Sequence, residues 1–571
     1  MFAKILRRYP SNSKVHESMN SSISPNNSLD KQERTIPQND SHLPNSSSSI
    51  PLCVDLDGTL CRSDLLYEGL LAIIRTNPTL LFNLIPALIK GKTFIKEFIA
   101  RNAHLNLAEL PWREEVIHKI KSAKKEGRHI VLATASHKII AQQAADHLGL
   151  FDEVIATSNE TNLKGSRKAD ELSKRFNQKG FDYIGDCKAD IPVWKNSHKS
   201  FVVNSNFIFS NRIKNLPTEL NIQVLSSAND TPNNSNNNNG DQTLKALNAD
   251  NAAGADNAAG ADNTAGADNT AGAHLIPDTS RFHVLSKALR IHQWSKNLLL
   301  FVPLIFAHKL NNFSLLFSAL IAALSFSLCA SAVYLINDLL DLPSDRRHPI
   351  KRFRPLARGT LDITDALKLT VILIFSAVVL AQTISSKVIL VLTLYFTVTL
   401  LYSSVLKRLL VIDILTLALL YTTRIFAGCV ATNLNSSPWL LAFSVFFFLS
   451  LGAVKRFVEL QSLNERGETK ATGRGYLASD ASAMQSIGLS SGVTAVMVLA
   501  LYVTSPAVTQ FYHTPDLLLL SGPLALYWIL RVWFLAARGE LVEDPVLFAL
   551  TDFQSYVVAS LGLLILLVAT F

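Results

Sequence analysis

Apolar and polar positions are spread unevenly along the 571 residues of the chain. From about residue 297 to the C-terminus, apolar runs of about twenty residues recur between short polar breaks, the length needed to cross a hydrocarbon core of about 30 Å. Nine such spans are centred near residues 303, 325, 373, 396, 420, 446, 494, 526 and 562. Between residues 51 and about 206 the pattern changes to short β-branched runs separated by helical stretches. "IPLCVDLD", "HIVLATAS", "DEVIATS", "FDYIGD" and "SFVVNS" read as buried parallel strands of an α/β sheet. Within this part, residues 62 to 110 are apolar and helical, but Pro78 and Pro86 interrupt the run, which disfavours a membrane span there.

Two polar regions frame the α/β part. Residues 1–50 are rich in Ser, Asn and Pro and predict a disordered extension. Residues 207–280 contain "NNSNNNNG" and four hexapeptides from Ala249 to Gly272, "ADNAAGADNAAGADNTAGADNTAG". A six-residue period could mark a β-helix, but Ala alone would bury too little on each turn. A flexible tether is the expectation. The chain thus divides into an extension (1–50), a soluble α/β domain (51–206), a linker (207–280) and an all-α polytopic membrane domain (281–571).

Charge follows the same division. The formal charge is +9, and many basic residues flank apolar spans, where they set orientation and meet anionic lipid heads. This argues for the lipid bilayer and against nucleic acid as the partner. The segments "RIHQWSK", "RRHPIKRFRPLAR", "KR", "KRFVELQSLNERGETKATGRG" and "AARGELVED" alternate with connections almost free of Lys and Arg. By the positive-inside rule the basic group is cytoplasmic, with the soluble domain in the cytosol and the C-terminus outside an inner (cytoplasmic) membrane. The N-terminus lacks an apolar core of signal-peptide length, which agrees. The five cysteines form no CxxC pair, so neither a disulfide framework nor a zinc site is expected.

The first candidate site lies in "VDLDGT", where a hydrophobic strand ends in Asp55 and Asp57, two residues apart and pointing the same way. Gly58 then allows a tight turn around a phosphoryl group. Downstream, "VLATAS" offers Thr134, "GSRKADEL" offers Lys168 and "YIGDCKAD" offers Asp186 and Asp190. These four motifs, in this order over about 150 residues, resemble the haloacid dehalogenase (HAD) superfamily of phosphatases, and residues 62–110 occupy the place of its helical cap. The resemblance implies a Rossmann-like fold with Asp55 as nucleophile and Asp57 as general acid and base. Thr134 would hold phosphoryl oxygens, and Lys168, or Lys164 close by, would offset their charge. Asp55, Asp57, Asp186 and Asp190 would form the acidic set around Mg²⁺.

The second candidate site is "NDLLDLPSDRRHPIKRFRPLARG", residues 337–359, at the end of the second span. Asp338 and Asp341, at i and i+3, share one helix face, and Asp345 continues it unless Pro343 breaks the helix and leaves Asp345 on a loop. Three acids at this spacing suit Mg²⁺. Arg346, Arg347, His348, Lys351, Arg352 and Arg354 follow, a concentration suited to phosphate or diphosphate oxygens. Asp413 and Arg424, inside the fifth span, are costly there and point to a polar interior; eleven residues apart, they lie too far from each other to pair.

NDxxDxxxD in this position resembles the UbiA superfamily of intramembrane prenyltransferases, over about residues 281–571. The fuller match is to its polyprenyl-phosphate phosphoribosyltransferase branch, typified by decaprenyl-phosphate phosphoribosyltransferases. It rests on "RIHQWSKN" (Arg290, Gln293, Trp294, Lys296, Asn297), Asn337, "DRRHPIKRFRP", "YSSVLKR" (Tyr402, Lys407), "KRFVEL" (Lys455, Arg456, Glu459), "RGY" (Arg474, Tyr476) and "EDPVLFAL" (Asp544). Trp294, at a span start, also suits an interfacial anchor. Quinone-pathway members carry a second DxxxD after the sixth span, whereas this loop reads "KRFVELQSLNERGE". The resemblance therefore implies phosphoribosyl diphosphate as donor and a polyprenyl phosphate as acceptor, with Mg²⁺ held by Asp338, Asp341 and Asp345. The alternatives are a prenyl diphosphate donor with an aromatic acceptor, or a transporter or lipid-binding protein with a regulatory HAD-like domain.

Overall fold

The structure, a computed structural model, describes residues 50–158, 161–203, 222–225, 281–470, 473–509, 512–541 and 545–570. The expected N-terminal extension, the hexapeptides of the linker and Asp544 lie outside the described residues.

The α/β part is a six-stranded parallel sheet in the order β3-β2-β1-β4-β5-β6, with β1 Leu52–Val54, β2 Ile130–His137, β3 Glu153–Thr157, β4 Asp182–Gly185, β5 Ser200–Val203 and β6 Ile222–Leu225. All five strands read from the apolar runs are present. β1 is wholly buried because it lies between β2 and β4, pairing Cys53 with Val131 on one side and Tyr183 on the other. A parallel strand covered on both faces needs a continuous apolar run, and LCV is one. β6 pairs in parallel with β5 inside the stretch read as linker, so the sheet extends past residue 206. Its four residues are too short to stand out among Asn and Ser.

Helices cover both faces: α1 Leu65–Thr76, α2 Leu80–Lys90, α3 Lys92–Asn102, α4 Glu114–Lys125, α5 Lys138–Leu148, α6 Ser166–Phe176 and α7 Ile191–Asn196. The first three form the expected cap. α1 begins where the Asp64 carboxylate accepts the Leu66 N–H, and Gly69 lets α3 approach, since a Cβ there would lie 2.6 Å from Ile99.

The C-terminal half is all helical. Among the described residues eight helices are long and apolar enough to cross a membrane, making this a multi-pass membrane protein. They are α8 Phe313–Leu340, α10 Ile363–Ile384, α11 Ser386–Ser404, α12 Ile412–Thr432, α13 Pro438–Glu465, α14 Ala481–Val503 (a span of Ala478–Val503 with the 3₁₀ turn before it), α15 Ser521–Ala537 (a span of Pro515–Ala537 with the 3₁₀ turn before it) and α16 Phe553–Thr570, while α9 is the short helix Leu342–Arg347. The span expected near residue 303 takes another form, a 3₁₀ helix over Ile291–Phe301 running into a short α-helix, Val302–Phe306. At about 2.0 Å per 3₁₀ residue and about 1.5 Å per α residue it reaches roughly 30 Å, about the thickness of a hydrocarbon core. It lies against α12, where Gly428 has no room for a Cβ, which would sit 2.2 Å from the Leu300 carbonyl oxygen.

Candidate active sites

Asp55 follows β1 and Asp186 follows β4, so the carboxyl ends of two adjacent strands bring them together at the point where the strand order reverses. Lys168, on α6, places its Nζ 3.0 Å from Asp55 Oδ2 and 3.5 Å from Asp190 Oδ1, which makes it, rather than Lys164, the lysine of this cluster. It also donates to the Tyr183 hydroxyl (2.9 Å), which donates to Asp190 (2.8 Å). Asp57 accepts from the Leu65 N–H at the start of α1 (2.8 Å) and from the Ser136 hydroxyl (2.6 Å). Thr134 is fully buried, and its hydroxyl oxygen accepts from the Ser136 N–H. Gly58, at φ +76°, would carry a Cβ 2.2 Å from Asp186 Oδ2, so the turn is open only to glycine. Ser136 and Tyr183 were not singled out from the sequence; the Ser in "TAS" and the Tyr in "YIGD" flank quoted motifs, and only the fold turns them inward.

Burial pushes the Asp55 carboxyl up to about 7, against the pull of Lys168, and pushes Asp57 up to about 6. Asp186 is held well above the usual carboxylate range by burial and then by Asp190 and Asp55. Burial works against the Lys168 ammonium, yet Asp55 and Asp190 more than offset it and keep it charged. Ligand atoms of Asp186, Cys187 and Asp190 lie within 4.8 Å of one another. Buried carboxylates outnumber the single ammonium among them, an arrangement that suits a hard divalent cation such as Mg²⁺. Burial and then Asp190 push the Cys187 thiol up, and its soft sulfur is a poor match for a hard ion such as Mg²⁺.

In the membrane half α8 ends at Leu340, with Asp341 as its C-cap, and Pro343 opens α9. The chain thus breaks as expected, but Asp345 sits on α9 and not on a loop. Asp338 accepts from Arg290 (2.6 Å) and Arg354 (3.1 Å), and the same Arg354 nitrogen reaches Asp345 (2.6 Å). A cationic nitrogen already bridges the two carboxylates, so they form a notch whose chemistry fits a cation. Asp341 is exposed beside it, as are Lys351 and Arg352. Asn337 supports the turn, its carbonyl accepting the Asp341 N–H (2.8 Å).

A second charged group is built around Asp413. This carboxylate, fully buried, accepts from the Tyr402 hydroxyl (2.8 Å), from Arg456 and from Arg474 (3.5 Å). Glu459 accepts from Arg456 (2.7 Å) and Arg474 (2.9 Å). Two acids and two arginines balance, and burial of such charges is tolerable only with this degree of pairing. Lys407 is half-buried between the groups: burial lowers its pKa, Asp341 raises it, and Arg474 and Lys351 also act on it. Lys455 stands beside Arg456 on α13, partly buried. Arg424 pairs with Asn297 (3.0 Å) and Tyr395 (2.8 Å), separate from Asp413 as the spacing required. Lys296 lies 5.7 Å from the Tyr421 ring, and Trp294 donates to Ser331 (3.0 Å), an interior contact in place of an interfacial anchor.

Arg346 corrects one expectation. It does not face a phosphate site; it donates to Glu68 of α1 (2.5 Å), with both side chains buried. Ser63 also donates to Glu68 (2.6 Å), and Arg347 lies 3.4 Å from Glu109. Around this pair Leu71 joins Leu335, Leu339, Leu342 and Leu356 in one apolar cluster, with Tyr67 and Ile74 packed against it. Helix α1, whose first N–H is accepted by Asp57, is therefore seated on helix α9, which carries Asp345.

Sheet, cap and acid cluster define a HAD-type hydrolase domain, and the helical half with its acid and arginine groups defines a UbiA-type transferase domain. Residues 52–195 match the haloacid dehalogenase-like hydrolase family and residues 298–556 the UbiA prenyltransferase family, and the chain belongs to both as a fusion of the two. An uncharacterized protein of Sinorhizobium fredii, y4nM, is 33% identical over 513 residues, covering 90% of this chain and 89% of that one. Nodulation protein NoeC of Azorhizobium caulinodans is 36% identical over 280 residues, 48% of this chain and 90% of that one. The decaprenyl-phosphate phosphoribosyltransferase of Mycobacterium tuberculosis is 35% identical over 185 residues, 32% of this chain and 61% of that one. A solved structure of a UbiA homolog from Archaeoglobus fulgidus bound to GPP and Mg²⁺ aligns with a TM-score of 0.38 at 16% identity, covering 49% of this chain and 99% of that one.

Proposed function

We propose that the membrane domain transfers phosphoribose from phosphoribosyl diphosphate to a polyprenyl phosphate, and that the HAD-type domain then removes the 5-phosphate of the lipid-linked product. The observation that carries this reading is the group around Asp413. Where a prenyl diphosphate-binding member would present a second acidic motif, this chain presents Arg456 and Arg474, held in place by Asp413 and Glu459. The acids Asp338, Asp341 and Asp345 form one group, and Lys407, which feels both Asp341 and Arg474, links it to a second group that contains Arg456 and Arg474, with Lys455 next to Arg456 in sequence. A donor with a diphosphate and a separate 5-phosphate can engage both groups, with Arg354, Lys351 and Arg352 on the segment that follows the acids. Lys296, Asn337, Tyr402 and Glu459 are the remaining residues assigned to this substrate in the proposal. Mg²⁺, held by the acids, would supply charge neutralisation for the diphosphate leaving group.

In the hydrolase domain Asp55 is the nucleophile, held by the Leu56 N–H and Lys168. Asp57 protonates the leaving alcohol, and its raised pKa suits that role. Ser136 and the Leu65 N–H fix its two oxygens, while Thr134 lies on the strand beneath. Asp186 and Asp190 would hold Mg²⁺, which screens the phosphoryl charge.

The test is mass spectrometry of lipids made by purified protein with labelled phosphoribosyl diphosphate. Wild type should yield lipid-linked ribose, and Asp55→Asn should accumulate its phosphorylated precursor while transfer continues. Label incorporated only from a prenyl diphosphate and an aromatic acceptor would overturn the transfer; identical products from both proteins would overturn the second step.

A further inference from the structure

α2 is difficult to explain in water. Eight of its eleven residues are hydrophobic, yet none of its described side chains is buried, and Phe82 and Ile89, two turns apart, are 75% and 83% exposed. Leaving such side chains in water is unfavourable. From Asn77 to Lys96 the chain has no acid, and Lys90 ends α2 while Lys92 opens α3. α1 ends only three residues earlier, and its Leu71 and Ile74 are packed among Leu335, Leu339 and Leu342, at the end of a membrane-length helix. α2 therefore leaves the rim of the membrane domain where lipid headgroups begin.

We propose that α2 lies in the headgroup region of the bilayer, with Phe82 and Ile89 in the acyl boundary and Lys90 and Lys92 against anionic phospholipid heads. Continuity with the membrane domain and the all-positive flank favour lipid over a second copy of the chain or a soluble partner. Resting on the phosphatase reading above, this seat keeps the cap at the surface where a lipid-linked phosphomonoester resides, so that substrate reaches Asp55 while its chain stays in the bilayer.

The full chain, in nanodiscs of phosphatidylcholine and phosphatidylglycerol, is labelled with a fluorophore at Phe82→Cys, Ile89→Cys or, on the solvent face of α4, Lys125→Cys. Doxyl-labelled lipid should quench the first two and leave the third unchanged. Quenching no greater at 82 and 89 than at 125 overturns the proposal, as does protection of both labels from lipid and aqueous quenchers alike, the signature of a second copy. Phe82→Glu/Ile89→Glu should hydrolyse p-nitrophenyl phosphate as wild type does, but act about tenfold more slowly on the lipid-linked monoester. Equal loss on both substrates would contradict the lipid seat. Were wild type to hydrolyse neither, the phosphatase reading would fall, while quenching would still decide where α2 lies.

Discussion

Arg346→Met removes the cation from a carboxylate that has one other side-chain donor, Ser63. The Glu68 and Arg346 side chains are 3% and 8% exposed, so water cannot replace the lost partner. Breaking a buried pair from one side costs about 3–5 kcal/mol, which raises the population of the undocked state by roughly two to three and a half orders of magnitude. Replacing both partners, as in Glu68→Met/Arg346→Met, leaves no orphaned charge and should cost far less, because the surrounding cluster of Leu71, Leu339 and Leu342 is apolar. Hydrogen–deuterium exchange of the α1 amides in the full chain reads the opening equilibrium directly. The single variant should exchange at least about a hundredfold faster than wild type and the double variant close to wild type. Unchanged exchange in the single variant would mean that the pair is solvated; a double variant no slower than the single would mean that packing, and not charge, seats the helix.

Other outcomes follow from the two sites. Asp338→Asn and Asp341→Asn should each lower transfer by at least about a hundredfold, as should chelation of Mg²⁺, with partial recovery of the variants at raised Mg²⁺; near-normal turnover at low Mg²⁺ would remove the metal assignment. Gly58→Ala forces a Cβ into a left-handed backbone and against Asp186, so it should cost at least about 1–2 kcal/mol in hydrolase-domain stability and suppress phosphatase turnover while sparing transfer; denaturation and the two activity assays separate these effects. Cysteines at Asn312, Asn435 or Thr514 should label from outside intact cells, and labelling of Arg466→Cys under the same conditions would reverse the proposed topology.

What could be read from the chain is what depends on local pattern. LCV, IVLATAS and YIG are strands because they are apolar and bounded, and the acids at their ends are placed by strand direction. The long helices are equally legible from composition. Pairings across the fold are not: Glu68 and Arg346 are 278 residues apart, and nothing near either residue marks the other. Asp413 stood out as an intramembrane acid, but its arginine partners come from 43 and 61 residues downstream. Ser136 escaped notice because serine is ordinary at a strand end until a carboxylate is found facing it.

The 3₁₀ segment Ile291–Phe301 has a consequence for motion. Its eleven residues span about 22 Å, and rewound as an α-helix they would span about 16.5 Å. Changing the hydrogen-bond register alone would therefore draw Arg290 along the bundle by up to about 5.5 Å, one full turn, and Lys296, midway along, by about half that, without breaking the chain's helical course. Since Arg290 holds Asp338, the length of this segment sets the distance between the bundle interior and the acid notch. Among the described crossings it is the one whose reach can be adjusted without tilting a rod.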